Sequence, residues 1–339
     1  MLRKARADRM SCEGPTTVAI AEGALVELEK IMRNYSNPLC ITDELIHSEY
    51  SSHLEDIIGQ TCRWIMVNAY THSAIQNFDG IDVIIGFGGG ASLDVAKLIA
   101  GKTGLNWISV PTAASHDGIA SEVASVSHDG YKYSQKCKGP LAVIADISII
   151  SKAPPRLKLA GLGDIICKTA SLAEWKLAYE EKNEAFDKQV YSIVENALDN
   201  VLRDDSIETL IQAEIDAGKA MSIFGSSRPC SGTEHAISHA MDRTSKELHG
   251  LQVAFATPIC LYYLQETGFA EHGYGEILDF MRSRQMPASF NEIGNAPTTF
   301  LDDVHHAVKI MKKRGRYSVL EHLNVDDSNL LSACQELGY

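Results

Sequence analysis

The chain has 339 residues, of which 45% are hydrophobic and 22% charged, and a formal net charge of −13. This length favours two domains, and the composition provides enough apolar side chains for two cores. The acidic charge argues against nucleic acid as a partner, whereas a small phosphorylated ligand remains compatible with it because local charge can oppose the net charge.

Eight cysteines are scattered along the chain without a CxxC pair. In a chain of this length they indicate reduced thiols rather than a disulfide framework. The N-terminal segment is basic but lacks the apolar stretch of a secretion signal. No apolar run approaches the ~20 residues that a membrane span needs. We therefore expect a cytoplasmic protein without a membrane span.

Short apolar strands alternate with helical stretches in the first half of the chain. The strand candidates are Thr17–Ala21, Leu39–Thr42, Trp64–Asn68, Asp82–Gly86 and Trp107–Val110. Helical stretches such as Gly23–Arg33 and Ser92–Lys102 lie between them. This alternation predicts βαβ units and a parallel sheet, in a domain that covers residues 1–153.

A glycine-rich turn follows the fourth of these strands. Residues 86–91 read GFGGGA and fit the G-x-G-x-x-G/A pattern between a strand and a helix. Such a turn lets the backbone approach a pyrophosphate, and the following helix supplies N–H donors. Ser92 is the predicted helix N-cap, with Asp94 in the first turn. A tight structural turn is the alternative, because no acidic residue follows about 20 residues later to bind a ribose.

Asp43 offers a second route to the ribose, since it stands at the end of the early strand LCIT. A carboxylate in that position binds a ribose diol and repels a 2′-phosphate. The alternative is that Asp43 is an acidic residue in a solvent-exposed loop without a binding role.

The most informative segment is ISVPTAASHDGIAS, residues 108–121. It places Thr112, Ser115, His116, Asp117 and Ser121 just past a strand end. Hydroxyls, an imidazole and a carboxylate crowded into such a loop indicate a polar site rather than a core. The segment therefore predicts a substrate pocket that faces the nucleotide site.

The secondary-structure pattern of the sequence changes after this loop. Residues 122–136 alternate around Asp129-Gly130, which predicts a hairpin, and residues 141–147 add a further strand. Beyond the double proline Pro154-Pro155, apolar residues recur at helical spacing and no strand pattern is present. We therefore predict a Rossmann-like α/β domain followed by an all-α domain over residues 154–339.

The helical domain carries a candidate metal site. Asp164 follows two glycines at a predicted helix start, and the capping-box pattern Ser231–Glu234 predicts the start of another helix. His235 and His239 lie one turn apart on that helix, and His249 follows in the sequence LHG. One carboxylate and two imidazoles suit Zn²⁺ or another divalent ion acting as a Lewis acid. An HxxxH pair alone is more often a surface or capping pair.

Taken in order, the segments GGGASLDVAK, SVPTAASHDGIAS, GLGD, SGTEHAISHAMD and LHG resemble one superfamily over nearly the whole chain. It is the group of metal-dependent dehydrogenases that contains iron-containing alcohol dehydrogenases, glycerol dehydrogenase and dehydroquinate synthase. Within it, SVPTAASHDGIAS resembles the sn-glycerol-1-phosphate dehydrogenases. The resemblance implies a dehydroquinate synthase-like fold with the active site in the cleft between the two domains.

The resemblance also implies a role for each matched position. The residues that would bind NADH or NADPH are Gly88, Gly89, Gly90, Ala91, Ser92, Asp94, Thr112, Ser115 and Ser121, in addition to Asp43. Asp164, His235 and His249 would hold Zn²⁺, with Fe²⁺ or Ni²⁺ as alternatives. Asp117, His239 and Asp164 would contact the substrate. The HxxxH spacing alone favours His235 and His239 as the two histidine ligands, and the resemblance replaces His239 by His249.

These roles imply metal-dependent, NAD(P)H-linked reduction of dihydroxyacetone phosphate to sn-glycerol 1-phosphate, the backbone of archaeal-type ether phospholipids. One alternative is a glycerol or polyol dehydrogenase that acts on an unphosphorylated substrate. A non-catalytic nucleotide-binding protein and a dehydroquinate synthase are the others. We expect a homo-oligomer, for which the edge strand of the predicted hairpin is the only hint.

Overall fold

The computed structural model describes residues 14–69, 77–128 and 131–339. The chain divides into two compact units. The first comprises the described residues up to Val126, together with Ser134–Pro154 and Ser206–Ile223. The second comprises the described residues of Ser127–Tyr133, Pro155–Asp205 and Phe224–Tyr339. The segment Ser206–Ile223, which falls within the predicted second domain of residues 154–339, thus groups with the first unit. The functional division into domains stays a prediction.

Eight strands are present in the described residues. They are β1 (Thr17–Ala21), β2 (Pro38–Thr42), β3 (Arg63–Met66), β4 (Val83–Gly88), β5 (Asn106–Pro111), β6 (Val123–His128), β7 (Tyr131–Lys136) and β8 (Ala142–Asp146). The predicted hairpin corresponds to β6 and β7, which form a two-stranded sheet of their own. Its predicted turn, Asp129-Gly130, lies outside the described residues.

Fifteen α-helices are present in the same described ranges. They are α1 (Glu27–Met32), α2 (Glu44–Ile58), α3 (Gly90–Thr103), α4 (Ile147–Ile150), α5 (Pro155–Ile166), α6 (Lys168–Lys182), α7 (Lys188–Arg203), α8 (Ile207–Phe224), α9 (Thr233–Met241), α10 (His249–Thr267), α11 (Tyr274–Ser283), α12 (Phe290–Ile293), α13 (Pro297–Lys313), α14 (Val319–His322) and α15 (Asp327–Leu337). Residues 155–339 are helical without a strand, which confirms the predicted α/β and all-α halves.

The first unit contains a six-stranded parallel sheet with the order β1-β8-β5-β4-β2-β3. Every residue of β2, β4 and β8 is buried, as expected for strands that read as continuous apolar runs. The chain moves outward from β2 to β3, returns to β4 on the other side of β2, and continues to β5. The direction therefore reverses between β2 and β4, and ligands of open α/β sheets bind beyond the carboxyl ends of strands at such a point.

The start of α3 differs from the prediction. The N-cap is Gly89 rather than Ser92, which lies inside the helix and is buried. A Cβ added to Gly88 would lie 2.6 Å from the Ser92 Oγ, so the serine side chain occupies the space beside this glycine. Ser92 therefore packs under the turn instead of capping the helix.

The second unit is built around α10, whose residues from Gly250 to Leu264 are buried with the exception of Tyr262. Helices α5 and α10 approach each other at backbone distance: a Cβ on Gly163 would lie 2.2 Å from the Gly250 carbonyl oxygen, and one on Gly250 would lie 1.9 Å from the Ala160 oxygen. Gly163, which directly precedes Asp164, thus allows the close packing of the two helices. The prediction that Asp164 begins a helix is wrong, because it lies near the end of α5.

The start of α9 also differs from the prediction. Its N-cap is Gly232, without a side-chain cap, so Ser231 does not form the expected capping box. Half of the pattern is present, because Glu234 Oε1 accepts a hydrogen bond of 2.7 Å from the Gly232 N–H. Within the described residues, no helix is long and apolar enough to cross a membrane.

Candidate functional site

Two candidate sites are present, one in each unit. The first lies at the carboxyl ends of β2 and β4, where the sheet reverses direction. Asp43 directly follows β2 and caps α2, with its Oδ1 accepting a hydrogen bond of 3.0 Å from Ile46 N–H. Its other oxygen, Oδ2, would lie 3.6 Å from a Cβ placed on Gly88. The carboxylate therefore stands beside the glycine turn, while one of its oxygens also stabilises a helix.

The glycine turn leads directly into α3. Gly89 has an extended backbone and no side chain to cap the helix. Ser92 N–H and Leu93 N–H both donate to the Gly89 carbonyl, at 3.0 and 3.2 Å. Within the described residues, no side chain caps the start of α3 with a hydrogen bond, and helix N-termini of this kind bind phosphate groups.

The loop after β5 lies beside this turn. Thr112 N–H donates to the Gly88 carbonyl oxygen at 3.0 Å, which holds the loop against the end of β4. Asp117 opens a short 3₁₀ helix, Asp117–Ile119, and Ser115 lies two residues before it. Ser121 is buried, and its hydroxyl donates to the Val123 carbonyl at 3.3 Å. The structure thus brings the polar residues of this loop to the same sheet edge as the glycine turn.

Asp94 has a structural partner on each oxygen. The Lys97 ammonium, which is completely buried, donates to Oδ1 at 3.1 Å, and Ser125 N–H donates to Oδ2 at 3.1 Å. Lys97 also donates to the Val123 carbonyl at 2.8 Å. These bonds join α3 to β6, so any contribution of Asp94 to cofactor binding includes holding the glycine turn in place.

The second candidate site lies within the helical unit. Asp164 near the end of α5, His235 on α9 and His249 at the start of α10 offer one ligand atom each, and these atoms lie within 4.8 Å of one another. His235 Nε2 lies 3.5 Å from Asp164 Oδ1. One carboxylate and two imidazoles form the donor set of many divalent metal centres that keep open positions. The residues present therefore fit a divalent cation.

The imidazole of His235 is oriented by a neighbouring carboxylate. Its Nδ1 lies 2.9 Å from Glu234 Oε1, whose pKa is held low, in spite of burial, by its bond to His235. A neutral His235 therefore carries its proton on Nδ1 and its lone pair on Nε2, which faces Asp164. Burial lowers the pKa of His235, but Cys167, Asp164 and Glu234 outweigh burial and raise it well above its usual value. The surroundings thus stabilise positive charge at this ring.

The imidazole of His249 is oriented by a hydroxyl. The Ser238 Oγ donates to Gln252 Oε1 at 2.9 Å and lies 2.8 Å from His249 Nδ1. Because the single hydroxyl proton goes to Gln252, Ser238 must accept from His249 Nδ1–H. The lone pair of neutral His249 therefore lies on Nε2. Such outer partners fix the tautomer of metal-binding histidines.

Asp164 is paired with a buried cation. Lys168, one helical turn later, places its Nζ 3.5 Å from Asp164 Oδ2, and both side chains are almost completely buried. Burial raises the pKa of Asp164, but Lys168 and His235 outweigh burial and hold it well below its usual value. The carboxylate is therefore ionised and available as an anionic ligand.

His239 lies next to this cluster but outside it. Its ring stacks on that of His249, with centroids 5.5 Å apart and planes at 24°. Burial lowers the pKa of His239, and the charges of Arg314 and His235 lower it further against the opposing effect of Asp242. The neutral imidazole therefore dominates at pH 7.

Arg314 follows α13 and is half-buried. Its guanidinium has no hydrogen bond or ion pair with another residue in the described part of the chain, and burial lowers its pKa. An arginine held partly out of water without an anion of its own suits an anionic ligand. Sequence reasoning missed Arg314 because a basic run after a helix ordinarily indicates a solvated face.

The surrounding residues were also missed. Glu234, Ser238 and Lys168 set the proton positions and the charge of the cluster, yet only their three-dimensional contacts reveal this. In the sequence, Ser238 stands out only as a polar residue between the two histidines of HAISHA.

The sequence is similar to those of known dehydrogenases over most of its length. The sequence profile of a family described as iron-containing alcohol dehydrogenase matches residues 19–154. Glycerol-1-phosphate dehydrogenase [NAD(P)+] of Methanosarcina acetivorans is 32% identical over 332 residues, which cover 90% of each chain. The enzyme of the same name from Methanosarcina mazei is 35% identical over 334 residues, again 90% of each chain.

Solved structures give the same architecture. The crystal structure of a probable glycerol dehydrogenase from Sinorhizobium meliloti has a TM-score of 0.71 at 19% sequence identity and covers 96% of this chain and 97% of its own. At this identity the likeness concerns the fold, which is the predicted α/β domain followed by helices.

Proposed function

Because the chain belongs to the family of glycerol-1-phosphate dehydrogenases, we propose that it reduces dihydroxyacetone phosphate to sn-glycerol 1-phosphate. The reaction consumes one NADH or NADPH and one proton, and it yields the alcohol and the oxidised dinucleotide. The observation that carries the proposal is the cluster of Asp164, His235 and His249, whose ligand atoms lie within 4.8 Å of one another and whose imidazoles, when neutral, bear the lone pair on Nε2.

We propose that this cluster holds Zn²⁺, with Fe²⁺ or Ni²⁺ as functional substitutes. A cation bound there would act as a Lewis acid that polarises the substrate carbonyl, which is worth several kcal/mol of transition-state stabilisation. Asp164 supplies the negative ligand, and Lys168 keeps that carboxylate ionised. Glu234 and Ser238 hold the Nδ1 atoms of His235 and His249, so that the Nε2 lone pairs of the neutral rings are available to the cation.

The substrate contacts are proposed for three side chains. Asp117 would accept hydrogen bonds from substrate hydroxyls, as the family resemblance implies. His239 would exchange the proton with the substrate oxygen. Arg314 would pair with the phosphate, because its guanidinium is half-buried and its charge is felt by His239. This last contact favours a phosphorylated substrate over glycerol.

The first unit is proposed to bind the dinucleotide. The uncapped start of α3, the close packing at Gly88 and the reversal of the sheet at this edge support that assignment. The carboxylate of Asp43 beside the turn favours NADH over NADPH, because it would repel a 2′-phosphate. The predicted placement of the active site between the domains stays a prediction.

The test is NADH oxidation by the zinc-loaded protein with dihydroxyacetone phosphate, followed by an enzyme specific for sn-glycerol 3-phosphate. Turnover to a product that this enzyme cannot use supports the proposal. A product that it does use contradicts the sn-1 assignment. Full activity after verified removal of the metal contradicts the role of the cluster.

The alternative substrate is tested in the reverse direction. Oxidation of glycerol far faster than oxidation of sn-glycerol 1-phosphate would favour a polyol dehydrogenase. Under the proposal, Arg314→Gln raises the KM for dihydroxyacetone phosphate at least tenfold, and Arg314→Lys restores part of the loss, because hydrogen bonds to charged groups contribute about 1.5–3 kcal/mol. An unchanged KM in Arg314→Gln would remove Arg314 from the site.

A further inference from the structure

The imidazole of His116 lies between two glycines of the first unit. A Cβ added to Gly90 would lie 2.2 Å from His116 Nε2, and one added to Gly118 would lie 2.0 Å from Cε1 and 2.2 Å from Nδ1. Real Cβ atoms do not approach other atoms so closely. The ring therefore occupies the space that side chains at these two positions would need, and it lies against the first residue of α3.

One nitrogen of this ring is fixed by the backbone. His116 Nδ1 lies 2.8 Å from Gly118 N, and an amide N–H can only donate. Nδ1 is consequently the acceptor, and a neutral His116 must carry its proton on Nε2. The backbone thus selects the tautomer whose donor is next to Gly90.

The donor on Nε2 has no hydrogen-bond partner within the part of the chain that the structure describes, and the side chain is half-buried. The nearest element is the uncapped start of α3, which follows the glycine turn and lies next to Asp43. A phosphate group at the start of a helix attracts further donors of this kind.

We propose that His116 Nε2–H donates a hydrogen bond to the pyrophosphate of the dinucleotide, and that Gly90 and Gly118 are glycines because they make room for this ring. The inference rests on the proposed function, since it concerns the cofactor of the same reaction. His116 then acts as a binding residue that positions the cofactor.

The test uses two amides that separate the two nitrogens of the ring. The amide nitrogen of asparagine reaches the position of Nδ1, whereas that of glutamine reaches the position of Nε2. His116→Gln therefore keeps a donor near Gly90, and His116→Asn keeps only a group near Gly118. The measurement is the Kd of ADP-ribose, which contains the pyrophosphate without the nicotinamide, by isothermal titration calorimetry of the full-length protein.

We expect His116→Asn to weaken ADP-ribose binding about 10- to 100-fold, the usual range for a lost hydrogen bond to a charged group, and His116→Gln to stay within about threefold of the wild type. Binding of adenosine, which lacks phosphate, should be equal in all three proteins. Equal losses in both variants, or a larger loss in His116→Gln, would overturn the inference in favour of a purely structural ring.

A glycine pair supplies the matched control. Gly118→Ala should weaken ADP-ribose binding, because the new methyl group displaces the ring. Gly101→Ala on the same α3 should not, because its Cβ would make an ordinary contact of 3.5 Å with the Cys137 Cα. If the wild type fails to bind ADP-ribose, the proposed cofactor and this inference are both overturned. If the wild type binds ADP-ribose and both Gly118→Ala and His116→Asn bind it equally well, the inference alone is overturned.

Discussion

Replacement of Ser238 by alanine tests how the metal cluster is oriented. The Ser238 hydroxyl accepts from His249 Nδ1–H at 2.8 Å and donates to Gln252 Oε1 at 2.9 Å. Ser238 is completely buried, so water does not readily replace the missing oxygen. The variant therefore leaves an imidazole N–H and an amide oxygen without this partner and frees the His249 ring to rotate.

The magnitude follows from these two bonds. Each buried polar group left without its partner costs about 1–3 kcal/mol of folding stability. Loss of the outer partner of a metal-binding histidine lowers metal affinity about 10- to 100-fold. This corresponds to about 1.4–2.8 kcal/mol of binding free energy. We expect weaker Zn²⁺ binding and a lower free energy of unfolding in Ser238→Ala.

The assay is competition for Zn²⁺ between the metal-free protein and a chromophoric chelator, with urea unfolding measured in parallel. Thr257→Val is the control, because Thr257 lies on the same helix as His249 and its buried hydroxyl donates only to the Val253 carbonyl at 2.8 Å. It should lose stability and keep its metal affinity. A Ser238→Ala protein that binds Zn²⁺ within threefold of the wild type would refute the tautomer argument for His249.

Three further predictions concern single carboxylates and one imidazole. Asp43→Asn keeps a helix N-cap but removes the charge. The ratio of NADPH affinity to NADH affinity should therefore rise several-fold in fluorescence titrations. The control Asp187→Asn, at another helix N-cap, should leave this ratio unchanged. Burial raises the pKa of Asp146, but hydrogen bonds from Ser148, Leu25 and Gly23 outweigh burial and lower the pKa below 3.8. Asp146→Asn should therefore lose a constant amount of stability above about pH 5, and the loss should shrink as the pH falls through the pKa of the folded state. Urea unfolding at several pH values measures this loss. Burial lowers the pKa of His239 below 6.5. We therefore expect the rate of alcohol oxidation by the wild type to rise with pH below that value, and the rate of His239→Asn to show no such rise, in pH–rate measurements.

The sequence predicted the strands of the first unit well because central strands of a parallel sheet are continuous apolar runs. Val83–Gly88 and Ala142–Asp146 lie where such runs occur, with bounds shifted by one or two residues. The order of the strands in the sheet could not be predicted from the sequence, because pairing partners such as Pro38 and Val83 are far apart along the chain. The reversal between β2 and β4, which brings Asp43 to the glycine turn, therefore emerges only from the fold.

The errors at helix starts share one physical cause. Local rules assign Ser92 and Ser231 as caps and place Asp164, after two glycines, at the start of a helix. In the structure, tertiary packing decides: Ser92 fills the space beside Gly88, and Gly163 brings α5 to backbone contact with α10. At Ser92 and Gly163, small size and close packing therefore outweigh the local preference for caps and turns.

The charge around His235 connects the fold to its chemistry. The ring lies between Glu234 at 2.9 Å and Asp164 at 3.5 Å, all deeply buried, and burial of ionised carboxylates is costly unless cations are near. Two cations can meet that need at His235, a proton on Nε2 or a divalent metal at the same nitrogen. They exclude each other, so metal binding must release the proton that the raised pKa of His235 retains. The carboxylates that make this pocket attractive to a metal thus also make its occupancy depend on pH, with affinity for the metal falling as the solution becomes more acidic.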